Sequence, residues 1–152
     1  MLRSMPEPVP FRFLLRVRYQ ECDPQKIVHN ARWGDYVDLA IAEYSRVLFG
    51  SVYPAVSGID WMLVRQTLEW KAPGRYDDVI EARVRTIRVG TTSFTIATEF
   101  RRWPDEQLLV TAETVCVSAG PDGAKQPVSD DHRRKLEAGA PGIVVDQAVA
   151  LG

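Results

Sequence analysis

Residues 21–50 read ECDPQKIVHNARWGDYVDLAIAEYSRVLFG, and the fold turns on how this stretch is read. It opens on Asp23-Pro24, passes through a short polar segment, and then settles into helical spacing. From Arg32 to Phe49 the apolar residues Trp33, Tyr36/Val37, Ala40/Ile41, Tyr44 and Val47/Leu48 recur at intervals of three and four. That is one broad apolar stripe, the mark of a helix with a buried face. Asp35, Asp38, Glu43 and Arg46 fill the remaining surface, acidic early and basic late, as the helix dipole prefers. Asn30 is a natural N-cap for a helix starting near Ala31, and Gly50 a natural stop. The stretch is therefore a polar turn carrying Asp23, His29 and Asn30, followed by one long amphipathic helix.

The flanks read as strands. Over 11–19, Phe13, Leu15, Val17 and Tyr19 share one face, with Arg12, Arg16 and Arg18 on the other. This half-buried strand ends at Gln20-Glu21, because Pro24 cannot extend a ladder. Beyond the helix lies a Ser/Pro/Gly loop at 51–58. Four β-rich segments follow: Ile59–Trp70, Val79–Val89, Ser93–Trp103 and Leu108–Ser118. Their linkers are short and rich in turn residues, which predicts antiparallel hairpins. Residues 130–138 suit a short helix. The proline-punctuated residues 1–10 and the Gly/Ala/Val-rich residues 139–152 are expected to be flexible, which leaves a single domain over 11–138.

One helix cannot cover both faces of such a sheet. The expected architecture is α+β: an antiparallel sheet of about five strands wrapped around one long central helix. The other sheet face and the sheet edges then need a partner subunit.

Composition removes several classes of function. With 152 residues, 45% of them hydrophobic, the chain can bury a real core. A net charge of −1 provides no field for nucleic acid or an anionic membrane. No apolar run is long enough to span a bilayer, and the first ten residues lack the apolar stretch of a signal peptide. Two cysteines, Cys22 and Cys116, make no disulfide framework, and a cytoplasmic location is expected. No metal site is expected from two cysteines and two histidines so dispersed. A phosphate-binding glycine loop, a dinucleotide fingerprint and a G-x-S-x-G elbow are all missing. Cys22 sits beside Asp23, whose charge disfavours a thiolate.

Asp23 remains, with two readings. It can stabilise its own turn before proline. Alternatively, it can face the free backbone N–H groups around Asn30 to Arg32, which suit the polarisation of a carbonyl oxygen. A carboxylate opposite such N–H groups is an arrangement for acyl transfer. His29 is open to three roles: general base, core polar residue or loop residue. Asn30 is a cap, a ligand contact or both. Arg88, Arg101 and Arg102 are solvated strand residues or phosphate contacts.

The run R-V-R-Y-x-E-C-D-P-x-x-I-V-H-N-A-R-W-x-x-Y-V-D, from Arg16 to Asp38, resembles the start of the hotdog-fold acyl-CoA thioesterases of the 4-hydroxybenzoyl-CoA thioesterase type. Arg88-Val89-Gly90-Thr91-Thr92-Ser93-Phe94 resembles that family's R-x-G-x-x-S-F hairpin, and Leu108 to Ala112 its following strand. The resemblance spans roughly residues 12–137.

It implies a hotdog fold and hydrolysis of an acyl-CoA substrate, with no cofactor beyond the coenzyme A carried by that substrate. Asp23 is the implied catalytic carboxylate, as nucleophile or as general base on water. The N–H at Asn30 is the implied oxyanion donor, with His29 as a candidate assistant. Ala31, Arg88, Thr92 and Ser93 are the implied substrate contacts. A homodimer with sites at the subunit interface, pairing to a homotetramer, is implied as well. The chain departs from the pattern where Gln25-Lys26 replace glycine and where His29, Asn30 and Arg32-Trp33 stand. Two rivals remain: a hotdog dehydratase or hydratase, and a non-catalytic acyl-CoA or small-ligand binding module.

Overall fold

The computed structural model describes residues 9–52 and 60–152. The expectations for residues 1–8 and for most of the loop at 51–58 lie outside the described residues. In chain order the elements are β1 (Phe11–Arg16), α1 (Arg32–Phe49), β2 (Asp60–Trp70), β3 (Val79–Val89), β4 (Ser93–Trp103), β5 (Leu108–Ala119), α2 (Asp130–Ala138) and β6 (Val144–Asp146).

The apolar stripe makes α1 the centre of the molecule. Trp33, Tyr36, Val37, Ala40, Ile41 and Tyr44 are all buried. The sheet supplies the other half of the core through alternate residues, among them Phe94, Ile96 and Phe100 of β4 and Ile80, Ala82 and Val84 of β3. Trp33 meets Phe100 edge-on at 5.3 Å between ring centroids, and Tyr44 meets Phe11 at 5.5 Å. Each such side chain, fully buried, contributes about 1.5–3 kcal/mol. Truncating Trp33 to alanine would forfeit about 3–5 kcal/mol. The helix stops at Gly50, which takes φ +78° while its N–H donates to the Arg46 carbonyl.

The six-stranded sheet runs β2-β5-β4-β3-β1-β6. Every pairing is antiparallel except β1 with β6. This is the α+β hotdog architecture: a curved sheet wrapped on a central helix.

Four local details differ from the sequence reading. The first strand ends at Arg16, and Tyr19–Glu21 form a 3-10 turn that leaves Tyr19 75% exposed. The Glu21 carboxylate causes this by accepting the Arg18 backbone N–H at 2.8 Å. Asn30 does not cap the helix; Ala31 holds that position, without a side-chain bond. Three-residue backbone bonds, Arg32 N–H to His29 and Trp33 N–H to Asn30, close the turn instead.

Third, β2 and β3 do not form a hairpin despite their short linker. β2 pairs with β5, and residues 71–78 cross the end of the sheet beneath the start of α1. Lys71 and Ala72 donate to the Leu109 carbonyl on the way, and the Gly74 carbonyl accepts the Val28 N–H. Fourth, the tail beyond residue 138, expected to be flexible, carries β6. Its residues pair with β1, and the Gln147 N–H donates to the Leu14 carbonyl.

β6 therefore covers one edge of the sheet. The other edge, β2, pairs with no further strand among the described residues, and Met62, Leu63, Val64 and Trp70 on it are all exposed, Val64 by 55%.

Candidate active site

The polar turn between β1 and α1 is a closed loop. Cys22 and Val28 form a bridge, the Asp23 N–H donates to the Ile27 carbonyl at 2.9 Å, and the Lys26 N–H donates back to the Asp23 carbonyl. Lys26 takes φ +62°, a conformation glycine reaches without strain. That accounts for the glycine which the resembling family carries at this point. Ile27 bridges Arg75 and Val28 bonds Gly74, so the 71–78 crossover forms the floor of the loop.

Asp23 sits at the mouth of this loop, half-buried. Its Oδ1 accepts the Gln25 N–H at 2.8 Å and the Ile27 N–H at 3.4 Å, the Asx-type bonding anticipated for a turn residue. Its Oδ2 accepts nothing among the described residues. The turn role thus occupies one carboxylate oxygen and leaves the other open.

Across the loop, the His29 N–H is consumed by the Glu21 carbonyl at 2.9 Å. The next two N–H groups, of Asn30 and Ala31, donate to no acceptor among the described residues. They lie immediately before α1, where the helix dipole is positive. His29, Asn30 and Ala31 are exposed. The loop therefore holds an open carboxylate oxygen and two open N–H groups at the start of one helix.

Glu21 fixes the base of the loop. It is only 6% exposed. Its Oε1 accepts the Tyr36 hydroxyl at 2.9 Å, and its Oε2 accepts the Arg18 guanidinium at 2.8 Å. Burial pushes this carboxyl up, but the hydrogen bonds from Arg18 and Tyr36 outweigh burial and hold it below the usual glutamate range. Burial, and then the Glu21 bond, push the Tyr36 hydroxyl far up. Burial followed by Glu21, Asp23 and Asp78 raises the Cys22 thiol, which keeps it protonated and a poor nucleophile.

Sequence reasoning placed Tyr36 in the core and gave it no polar partner. No spacing rule in the sequence joins it to Glu21, 15 residues earlier. Among the described residues no group of three His, Cys, Asp or Glu is arranged to hold a metal.

The hairpin residues lie elsewhere. Arg88, Thr92 and Ser93 are at the far end of β3 and β4. The Asp23 loop and the chain leading into it touch the opposite end of β3: the Tyr76 N–H donates to the Lys26 carbonyl, and the Val17 N–H to the Asp78 carbonyl. Nearly the whole length of β3 separates Val79 from Arg88, roughly 30 Å. Within one chain, Asp23 and the hairpin do not share a pocket.

Fold and loop together define a hotdog protein with a carboxylate and free N–H groups at the start of its central helix. The sequence model of the thioesterase superfamily matches residues 25–109, more than half the chain. The chain belongs to the thioesterase superfamily and is a thioester hydrolase.

A relative from Aquifex aeolicus (strain VF5), provisionally named an esterase, is 31% identical over 91 residues, 59% of this chain and 70% of the relative. Three solved structures share the fold. A thioesterase-superfamily protein from Jannaschia sp. CCS1 has a TM-score of 0.80 at 20% identity, covering 93% of this chain and 100% of its own. A thioesterase from Thermus thermophilus, complexed with coenzyme A and Zn, has 0.76 at 22% identity, covering 88% and 96%. A 1,4-dihydroxy-2-naphthoyl-CoA thioesterase from Synechocystis has 0.73 at 17% identity, covering 83% and 94%.

Proposed function

We propose that this chain hydrolyses an acyl-CoA thioester to the free acid and coenzyme A, with Asp23 as the catalytic carboxylate. The reading rests chiefly on one observation: the closed loop before α1 carries Asp23, whose Oδ2 accepts nothing among the described residues, and the N–H groups of Asn30 and Ala31 that directly follow the loop have no acceptor among them either. The thioester carbonyl oxygen lies against those N–H groups, which stabilise the negative charge it gains as the carbonyl carbon is attacked. Removing one such donor typically costs about 10²–10³ in rate. Asp23 takes the proton of the attacking water, or attacks directly and is released by water afterwards. The C–S bond breaks, and the sulfur leaves as the thiol once protonated. His29, exposed beside Asn30, lies at the mouth of the site.

The complete site needs two copies of the chain. An antiparallel two-fold pairing of the open β2 edges sets the Trp70 end of one strand beside the Asp60 end of the other. The Trp70 end leads through residues 71–78 to the Asp23 loop. The Asp60 end neighbours the hairpin, since Trp61 pairs with Ser118 and the Ser118 N–H bonds the Thr92 carbonyl. The pairing thus brings each Asp23 loop toward the partner's hairpin, where Arg88, Thr92 and Ser93 receive the coenzyme. Two copies bury the apolar β2 face and remove the open edge.

Incubating the purified protein with acetyl-, hexanoyl-, benzoyl- and palmitoyl-CoA and measuring free thiol tests this reading. Thiol release is the expected result. Hydration of an enoyl-CoA without thiol release would replace it with the hydratase reading.

A further inference from the structure

We propose that Glu21 and Tyr36 are positioning residues for this hydrolysis: their buried hydrogen bond sets the Asp23 carboxylate at a fixed spacing from the Asn30 and Ala31 N–H groups. The inference rests on the reading of Asp23 as the catalytic carboxylate and adds two residues that touch no substrate.

Glu21 holds the loop from both sides. Its Oε1 accepts the Arg18 backbone N–H and the Tyr36 hydroxyl, tying the end of β1 to the second turn of α1. Its backbone carbonyl accepts the His29 N–H, the last such bond before the two free N–H groups. One residue thereby grips the chain two positions before Asp23 and one position before Asn30. The Cys22–Val28 bridge and the Asp23–Ile27 bond hang from that grip.

Tyr36 makes the grip rigid. Its ring is fully buried and stacked edge-on against Trp33 at 5.3 Å, so its hydroxyl cannot follow a displaced carboxylate. Arg18 is the expendable member, since its side chain is largely exposed. Without the Tyr36 hydroxyl, Glu21 keeps a buried oxygen with one donor fewer and the loop gains freedom at the point where Asp23 is aimed. Misplacement by about 1 Å can cost about 10²-fold in rate, so even partial loosening is kinetically visible.

The test compares Tyr36→Phe, Glu21→Gln, Glu21→Leu and Asp23→Asn with wild type. The substrate is whichever member of the acyl-CoA panel the wild type turns over fastest, and the melting temperature is recorded for each protein. Tyr36→Phe is expected to lower kcat by about tenfold or more, with KM held within about twofold, while the protein stays folded at the assay temperature. Glu21→Gln retains an Oε1 that accepts from both Tyr36 and Arg18, and should stay within about threefold of wild-type kcat. Glu21→Leu, which accepts from neither, should lose at least as much as Tyr36→Phe. If Glu21→Leu fails to fold, Tyr36→Phe and Glu21→Gln carry the comparison.

An unchanged kcat in folded Tyr36→Phe, even with a lowered melting temperature, makes the pair merely structural and overturns the inference. Glu21→Gln falling as far as Glu21→Leu overturns it too, because charge rather than bond geometry would then matter. Full activity in Asp23→Asn, or no turnover of any acyl-CoA, would sink the reading of the site and this inference with it. Normal Tyr36→Phe beside inactive Asp23→Asn sinks this inference alone.

Discussion

Gly74 lies so close to the indole of Trp33 that a Cβ on it would stand 3.1 Å from Cζ2 of the ring. It would also stand 3.3 Å from Cγ2 of Val28, and both neighbours are buried. The crossover from β2 to β3 thus packs against the underside of the Asp23 loop more tightly than a side chain at residue 74 would allow without a shift of Trp33 and Val28 by a few tenths of an ångström. Gly74→Ala should cost about 1–3 kcal/mol, since the added methyl must displace two buried side chains. A thermal melt checks this; an unchanged melting temperature would show that the loop floor is compliant.

Acid should loosen the same region. The Glu21 carboxyl is held below its ordinary value, so its stabilising contribution is complete above the unfolded glutamate pKa of about 4.3. It is lost as pH falls through the lower, folded value. Stability measured by denaturant titration should therefore drop below about pH 4, with a shallower drop in Glu21→Gln. Equal slopes for the two proteins would remove Glu21 from the acid response.

The open edge predicts association. β2 ends the sheet and exposes Met62, Leu63, Val64 and Trp70. Sedimentation should find the wild type as a dimer or larger. Leu63→Lys, at a position already half exposed, should yield a folded monomer with activity reduced by about tenfold or more, the effect of losing the partner's half of a site. A fully active monomer would contradict the two-copy site.

Cys22 offers a control on mechanism. Its thiol is raised, chiefly by burial and then by the charges of Glu21 and Asp23. Cys22→Ser should keep kcat within about threefold of wild type, whereas a nucleophilic cysteine would lose nearly all activity. Thiol-release kinetics with the serine variant decide between the two.

The elements were legible in the sequence because their signals are local. The stripe from Trp33 to Tyr44 and the alternation from Phe94 to Phe100 each declare themselves within a few turns of helix or a single strand, and both hold in the structure, whereas Val47, at the end of the expected stripe, is 40% exposed. Pairing was harder to read. The linker between Trp70 and Val79 looks like a hairpin turn, yet β2 finds β5, because residues 71–78 are held by Leu109, Val28 and Lys26. The tail gave no strand signal, since β6 is three residues long and owes its existence to the β1 edge.

At the site, Asp23 and the helix start were visible as types at a spacing. The grip of Glu21 on Tyr36 was not, because no pattern rule joins a turn glutamate to a tyrosine 15 residues on. Nor was the docking of the Asp23 loop at the Val79 end of β3, which sets Asp23 apart from Arg88. The mixed character of Asp23 is physical rather than ambiguous: one oxygen makes the turn and the other accepts nothing among the described residues.

The most direct measurement is steady-state thiol release by Asp23→Asn from the best acyl-CoA substrate of the wild type. Asparagine keeps the Oδ1 acceptor for the Gln25 and Ile27 N–H groups, so the loop should survive the exchange. It removes the basic and nucleophilic oxygen. The account predicts a folded protein with wild-type melting behaviour and a kcat lower by about 10²–10⁴. A folded Asp23→Asn variant that releases thiol at the wild-type rate would contradict it.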